Sequence, residues 1–351
     1  MENSKPLITT VIPTFRRPRL LRRAIKSVLA QTYPNFRLCI YDNASGDETA
    51  EIVAELAKAD PRIRYHCQPE NIGAFNNWNF GMRQVDTQFF SFLSDDDVLL
   101  PNFYKTALEG FEQHHDAMFS ATGTVVMNED GYVLANAILC WKAGYYANPE
   151  RLVTMLRNFP PPLGWTGVVY RKEVIELVIG EGIPKVFEDH YFNLRIAALS
   201  PFVITHDAGA ILLSHNSSYT IQNYYELYMV PILEDFISYI LKDERIEDNI
   251  REISRRIILN FIINTSFLVG LNAIAHNNYL GTERAYSVLI KYGLINHKAI
   301  ILSLLLRIGK SIPLVRYPLN LLYKARRKFI EYNNRGLQIK YRNLAKFLRC
   351  E

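Results

Sequence analysis

Residues 89–100 read Phe-Phe-Ser-Phe-Leu-Ser-Asp-Asp-Asp-Val-Leu-Leu. An apolar run stops at three carboxylates, and the apolar character then resumes. The nearly continuous run over 89–93 predicts a short strand buried on both faces. Asp95, Asp96 and Asp97 then sit at its carboxyl end. Three adjacent anions at the lip of a core repel one another, and burial raises that cost. A bound divalent cation removes it; carboxylate oxygens suit Mg²⁺ or Mn²⁺, whose sites often combine one or two carboxylates with substrate phosphates. Read alone, the stretch is equally a solvated acidic turn.

Its surroundings decide between the two. Residues 7–12 are apolar and β-branched and end at Pro13, predicting a buried strand. From Arg19 the period changes: Leu20, Leu21, Ala24, Ile25, Val28 and Leu29 recur at helical spacing. Strands are predicted again over 36–41 and 63–67. The turn Asn43-Ala44-Ser45-Gly46-Asp47 opens a helix striped by Ile52, Val53, Leu56 and Ala57. Asn71-Ile72-Gly73 opens another helix to about residue 85, and Pro101 starts one to about 114. Alternating strands and helices with short links predict an α/β fold with a mostly parallel sheet and flanking helices. Ligands bind such sheets outside the carboxyl ends of the strands. Thr14, Asp42 and Asp95 to Asp97 all fall at such ends.

A dinucleotide-binding loop is excluded, because Thr14-Phe15-Arg16-Arg17-Pro18 follows the first strand where Gly-x-Gly-x-x-Gly would be needed. A P-loop is absent too. The 351 residues, with 49% hydrophobic and 21% charged content, have the composition of a globular protein of one large or two ordinary domains. Cys39, Cys67, Cys140 and Cys350 show no metal spacing, which predicts a reducing compartment and no disulfide framework. No signal-peptide pattern precedes the first strand. The net charge of +5 is uneven: residues 298–351 hold 13 Lys or Arg against 2 acids, and the remainder 27 against 33.

Four stretches carry a resemblance: Val11-Ile12-Pro13-Thr14-Phe15, Tyr41-Asp42-Asn43-Ala44-Ser45-Gly46-Asp47, Asn71-Ile72-Gly73 and Leu93-Ser94-Asp95-Asp96-Asp97. In this order and spacing they resemble the family 2 glycosyltransferases of GT-A fold, over roughly residues 5–220. The resemblance implies a catalytic domain over 1–222, with a nucleotide-sugar half (5–115) and an acceptor half (116–222). It implies that Pro13, Thr14, Arg16, Asp42, Asn71, Asn79, Asp95 and Asp96 bind a nucleoside-diphosphate sugar, Asp42 taking the N3–H of uracil or thymine. Asn43 stands where many relatives have a second acid, which leaves the base open. Asn71 and Asn79 have an alternative reading as cap or packing residues. Asp97, with Asp95 and His215, would hold Mn²⁺ or Mg²⁺, although a lone histidine is also an ordinary structural residue.

In the acceptor half, residues 118–127 and 163–171 read as strands. Trp165 is either a sugar-stacking ring or core, and Pro160-Pro161-Pro162 a stiff border. Glu188-Asp189 opens a helix with Leu194-Arg195 in its second turn. By resemblance Asp189 takes the proton of the acceptor hydroxyl and Glu188 supports it; the plain alternative is an acidic helix N-terminus. Inverting displacement of a sugar, UDP-linked before dTDP-linked, onto a glycan or lipid-linked glycan is the implied reaction. A nucleotidyltransferase would need a Gly-rich loop after strand one. A processive synthase would need several membrane helices and Gln-x-x-Arg-Trp. A non-catalytic scaffold would not need Asp97 and Asp189.

Residues 223–351 are expected to be mostly helical. Residues 260–275 read as a buried helix, not a membrane span. The mixture of apolar, aromatic and basic residues over 312–329 suits an anionic membrane surface, with 298–351 as the contact, or else a helix packed on the catalytic domain or, in a homo-oligomer, on a subunit neighbour. No nucleic-acid module accompanies the basic tail. The expected location is cytoplasmic and peripheral on the inner face of the cell membrane.

Overall fold

The computed structural model describes residues 7–136, 141–147, 150–157, 164–179, 189–215, 229–293, 297–311, 317–321, 324–325, 328 and 334–349. Glu188, Pro160 to Pro162 and much of 312–329 lie outside them. The described chain divides into two units, 1–214 with 337–351, and 215–336.

In the first unit, β1 (Ile8–Thr14) is buried at every position. Pro18 pre-sets the backbone at the start of α1 (Pro18–Leu29), whose stripe Leu21, Ala24, Ile25 and Val28 faces the core. Next come β2 (Phe36–Asp42), α2 (Thr49–Ala59), β3 (Ile63–Cys67), α3 (Ala74–Arg83) and β4 (Phe89–Phe92). All four residues of β4 are buried, as a strand covered on both faces requires. After the acidic turn follow β5 (Val98–Leu99), α4 (Phe103–Gln113), β6 (Phe119–Asn128), β7 (Val133–Asn136), β8 (Gly144–Tyr146), α5 (Arg151–Arg157), β9 (Val168–Arg171), α6 (Val174–Ile179), α7 (Asp189–Leu199) and β10 (Phe202–Ser214).

The ten strands form one sheet, with path β3-β2-β1-β4-β9-β6-β10-β5; β7 pairs with β6 and β8 with β10. β1 to β4 are mutually parallel, as is β6 with β10, whereas β9 and β5 run antiparallel to their neighbours. Register places Thr14 beside Asp42, and Asp42 beside Cys67. Leu93 donates to the Val11 carbonyl at 3.1 Å, so the acidic turn leaves the sheet at the same end. An aliphatic cluster built on Ile8, Ile12, Ile25, Ile40 and Val53 lies under α1 and α2.

The second unit contains α8 (Met229–Asp235), a π-turn (Phe236–Ile240), α9 (Asp248–Ala275), α10 (Tyr279–Gly293) and α11 (His297–Ser311). Ile274, Ala285, Leu289, Ala299 and Leu302 form its core. By length and composition α9 could cross a membrane, but no membrane is needed to bury Ile250, Ser254, Ile258, Ile262, Ser266 and Gly270, spaced four apart along one face. About a third of its most apolar window is covered. The buried helix read over 260–275 is thus part of a helix buried along one stripe. From Leu337 on, α12 (Arg335–Tyr341) and the 3₁₀ turn Arg342–Leu348 belong to the first unit.

α3 lies close on the sheet because Gly81 has no side chain. A Cβ there would stand 2.8 Å from both the Tyr41 ring and Val11 Cγ1. Gly81→Ala is therefore expected to lower unfolding stability by about 1–3 kcal/mol, measured by denaturant titration. An unchanged midpoint would show that the helix retreats freely.

Candidate active site

Two polar clusters form where β1, β2 and β4 end. At the first, Asp42 is buried at the tip of β2. Its Oδ1 accepts from the Ser45 N–H at 3.0 Å and from the Ser45 hydroxyl. Its Oδ2 accepts from the Tyr65 hydroxyl at 2.6 Å. Burial, then the Asp42 charge, pushes the Tyr65 phenol upward, so it stays a donor. Arg16, with φ of 55°, turns its N–H to the Ser45 hydroxyl at 2.9 Å and its Nε to the Ser45 carbonyl at 3.1 Å. Asn43 does not stand free as a second reader: its Nδ2 donates to Asn71 Oδ1, and its Oδ1 accepts from Ile72 N–H, each at 2.9 Å. Asn71 Oδ1 also accepts from Gly73 N–H at 2.9 Å. Asn71 thus acts as a brace of the 71–73 turn, the cap reading left open from sequence. Asn79 Oδ1, on α3, is buried with no hydrogen-bond partner among the described residues.

At the second, Asp95, Asp96 and Asp97 are all buried. Thr14 donates to Asp95 Oδ2 at 2.8 Å. Arg17 Nη1 bridges Asp95 at 3.2 Å and Asp96 at 3.0 Å. Asp97 accepts from the Thr166 hydroxyl at 2.5 Å and from Leu213 N–H at 2.9 Å. Burial pushes the Asp95 carboxyl up to about 6; Asp96 adds to the rise, and Arg17 opposes it. Burial and then the Asp96 charge hold Asp97 well above the usual carboxylate range. These donors leave the carboxylates short of positive charge, which is a site suited to a cation. Among the described residues no three His, Cys, Asp or Glu side chains form a ready-made cage, so any ion here needs further oxygen ligands from a substrate.

Asp189 begins α7, half-buried, with its carboxylate against the backbone of Gly164: a Cβ there would meet Asp189 Oδ2 at 2.9 Å. Asn193, one turn on, accepts from the Tyr170 hydroxyl at 2.8 Å and donates to the Gly164 carbonyl at 3.4 Å. These bonds tie α7 to β9 and to the loop before it. Trp165, only partly buried, packs in an aromatic cluster with Trp78 at 4.2 Å and Phe92 at 4.9 Å between centroids. Pro13 is buried within β1. His215 is buried and directly follows β10.

Arg17, Thr166, Ser45 and Tyr65 were not singled out by sequence. Arg17 and Thr166 lie inside stretches that were, one residue from Arg16 and Trp165. Nothing in the local pattern marks the hydroxyl of Tyr65, which reaches Asp42 only because β2 and β3 pair in parallel. Tyr65→Phe is expected to cost about 1.5–3 kcal/mol of stability, since it removes a hydrogen bond to a buried carboxylate. Chemical unfolding of the two proteins at neutral pH measures it, and equal stabilities would show that Asp42 finds another donor.

Residues 9–174 match the family described as Glycosyl transferase family 2. The GalNAc(5)-diNAcBac-PP-undecaprenol beta-1,3-glucosyltransferase of Campylobacter jejuni is 32% identical over 127 residues, 36% of this chain and 40% of that protein. The putative teichuronic acid biosynthesis glycosyltransferase TuaG of Bacillus subtilis is 30% identical over 131 residues, 37% of this chain and 52% of its own length. The chain thus spans about half or less of these relatives. Among solved structures, S. aureus TarS 1–349 in complex with UDP-GlcNAc superposes with a TM-score of 0.62 at 15% identity, covering 91% of each chain. The mannosyltransferase PcManGT from Pyrobaculum calidifontis, in complex with GDP-Man and Mn²⁺, gives 0.50 at 12% identity, covering 90% and 86%. At such identities the likeness speaks for the fold, which is the expected GT-A arrangement.

Proposed function

We propose, from the premise that residues 9–174 are a family 2 glycosyltransferase domain, that the chain moves a sugar from a nucleoside diphosphate to a hydroxyl of a glycan or lipid-linked glycan, inverting the anomeric centre and depending on a divalent metal. A UDP-sugar is the favoured donor and a dTDP-sugar the next. The observation that carries this reading is the buried acidic turn at the strand ends, linked to the equally buried Asp42 by Thr14, which lies beside Asp42 in register and donates to Asp95.

The residues fit a metal. Asp95 and Asp97 offer hard oxygens whose raised pKa reports unmet positive charge. Asp95 and Asp97 would hold Mn²⁺ or Mg²⁺, which when bound offsets the charge of a departing diphosphate. Asp42, fixed by Ser45 and Tyr65, presents a carboxylate to the base. Thr14 lies along the nucleoside, and Arg17 supplies positive charge beside Asp95 and Asp96. Asn79 Oδ1 offers a free acceptor to a donor hydroxyl. As the acceptor oxygen bonds to the anomeric carbon, the bond from that carbon to the diphosphate oxygen breaks, and Asp189 takes the hydroxyl proton. The nucleoside diphosphate leaves with the bonding electrons, so no covalent enzyme intermediate forms.

Two variants separate these roles. Asp189→Ala is expected to abolish transfer, by about 10²–10⁴-fold as for loss of a general base, and to leave nucleoside-diphosphate binding intact. Asp97→Ala is expected to lose both. Release of nucleoside diphosphate from a panel of UDP- and dTDP-sugars, with cell-envelope glycolipid as acceptor, measures transfer. Full activity in either variant would refute its assigned role.

A lipid-linked acceptor is favoured by α11. Its buried side, Ala299 and Leu302, is used by the core of the second unit. Its other side exposes Ile300, Ile301, Leu304 and Ile308, each 41–52% accessible, where an ordinary surface helix is polar. Arg307 stands beside them, and the helix has no acid. This is the pattern of a helix lying on an anionic leaflet, and the C. jejuni relative is named for an undecaprenol-linked substrate. Replacing Ile300 and Leu304 by Glu is expected to abolish co-flotation with phosphatidylglycerol vesicles. Equal flotation of variant and parent would remove this face as the membrane contact.

A further inference from the structure

The end of the chain returns to the catalytic unit after the whole second unit has intervened. Tyr341, Leu344 and Phe347 pack against Val98, Leu100 and Ile211. Gln338 Oε1 accepts from Val133 N–H at 2.6 Å. Ala345 comes so near Gly131 that a Cβ there would stand 2.5 Å from its own, and Gly131 has φ of 80°, a conformation that glycine adopts without strain. The segment is therefore docked along its length by polar, apolar and backbone-contact terms together.

What it docks on is the support of the acidic turn. Val98 follows Asp97 directly, and Ile211 lies two residues before Leu213, whose N–H holds the Asp97 carboxylate. Arg23, on α1, joins the two structures. Its Nη2 donates to the Asp96 carbonyl at 2.7 Å and its Nη1 to the Leu348 carbonyl at 3.5 Å. Its Nε is buried without a hydrogen-bond partner among the described residues. Burial pulls the guanidinium pKa down, and Asp97 and Asp96 pull it back. An arginine is kept in so costly a place where its fixed fork does something a solvated cation cannot.

We propose that residues 337–349 are a strap that, through Arg23, fixes the backbone of the Asp95–Asp97 turn in the geometry that receives the donor. Arg23 is a positioning residue: it touches the Asp96 carbonyl, not the carboxylates that face the ligand. The proposal rests on reading that turn as the donor site. It makes the chain end part of the active-site scaffold, although the sequence presents it as a basic tail.

Hydrogen–deuterium exchange tests the strap without any ligand. Arg23→Met and Leu344→Asp are each expected to speed exchange in 94–100 and 211–214 by about tenfold, the loss of one charge-assisted hydrogen bond, with 36–67 unchanged. Calorimetry with UDP and Mn²⁺ should show binding weakened by about the same factor in both variants, and largely kept in Arg23→Lys. Unchanged exchange over 94–100 would overturn the proposal, as would protection lost equally over 36–67, the mark of a general stabiliser. Faster exchange with unaltered UDP binding would overturn the positioning claim. If the parent protein binds no nucleotide, the donor reading fails by itself, and the exchange result still decides whether the strap holds the turn.

Discussion

Three carboxylates in a row, all buried, are the constraint around which the first unit is built. Removing one carboxylate from water costs several kcal/mol, and mutual repulsion adds to it. The structure meets part of that cost with Thr14 and Arg17 on Asp95, Arg17 on Asp96, and Thr166 with the Leu213 N–H on Asp97. The donors come from β1, the loop before α1, the loop before β9, and β10, so sheet order is what brings them together. Asp95 and Asp97 still have raised pKa values. A fold that gathers donors from four places and leaves the acids under-compensated is poised for a cation and an anionic ligand, not optimised for its own stability.

The Asp42 pocket follows the opposite logic. Both carboxylate oxygens are satisfied, by Ser45 and Tyr65, which fixes orientation at the expense of freedom. Such rigidity suits recognition of one donor edge on a flat base. Asn43, next in the chain, is committed to the 71–73 turn. In the proposed reading, base selection would fall on Asp42 and on what the loop of Asn71 to Gly73 leaves open.

Much of the first unit was legible because its elements are local. The periods of α1 and α2, the apolar runs of β1 and β4, and the residues at strand ends depend on neighbours in the chain. The tip residues Thr14, Asp42 and Asp95 could be named once alternation implied a parallel sheet. Partners brought in by long-range pairing were not legible. Thr166 reaches Asp97 from sixty-nine residues away, and the antiparallel pairing of the two-residue β5 with β10 leaves no periodic signal. The chain end was hard to read for a different reason. Its charges are conspicuous, but the burial of Tyr341 and the packing of Leu344 and Phe347 are spaced like any short helix.

The central claim is that the acidic turn and Asp42 together bind a metal–nucleoside diphosphate. Calorimetric titration of the intact chain with UDP, dTDP, GDP and CDP, each with and without Mn²⁺, tests it most directly. The account predicts strong binding of a uridine or thymidine diphosphate only when Mn²⁺ is present. Equal binding without the metal would contradict the role of Asp95 and Asp97, and no binding of any of the four would contradict the account as a whole.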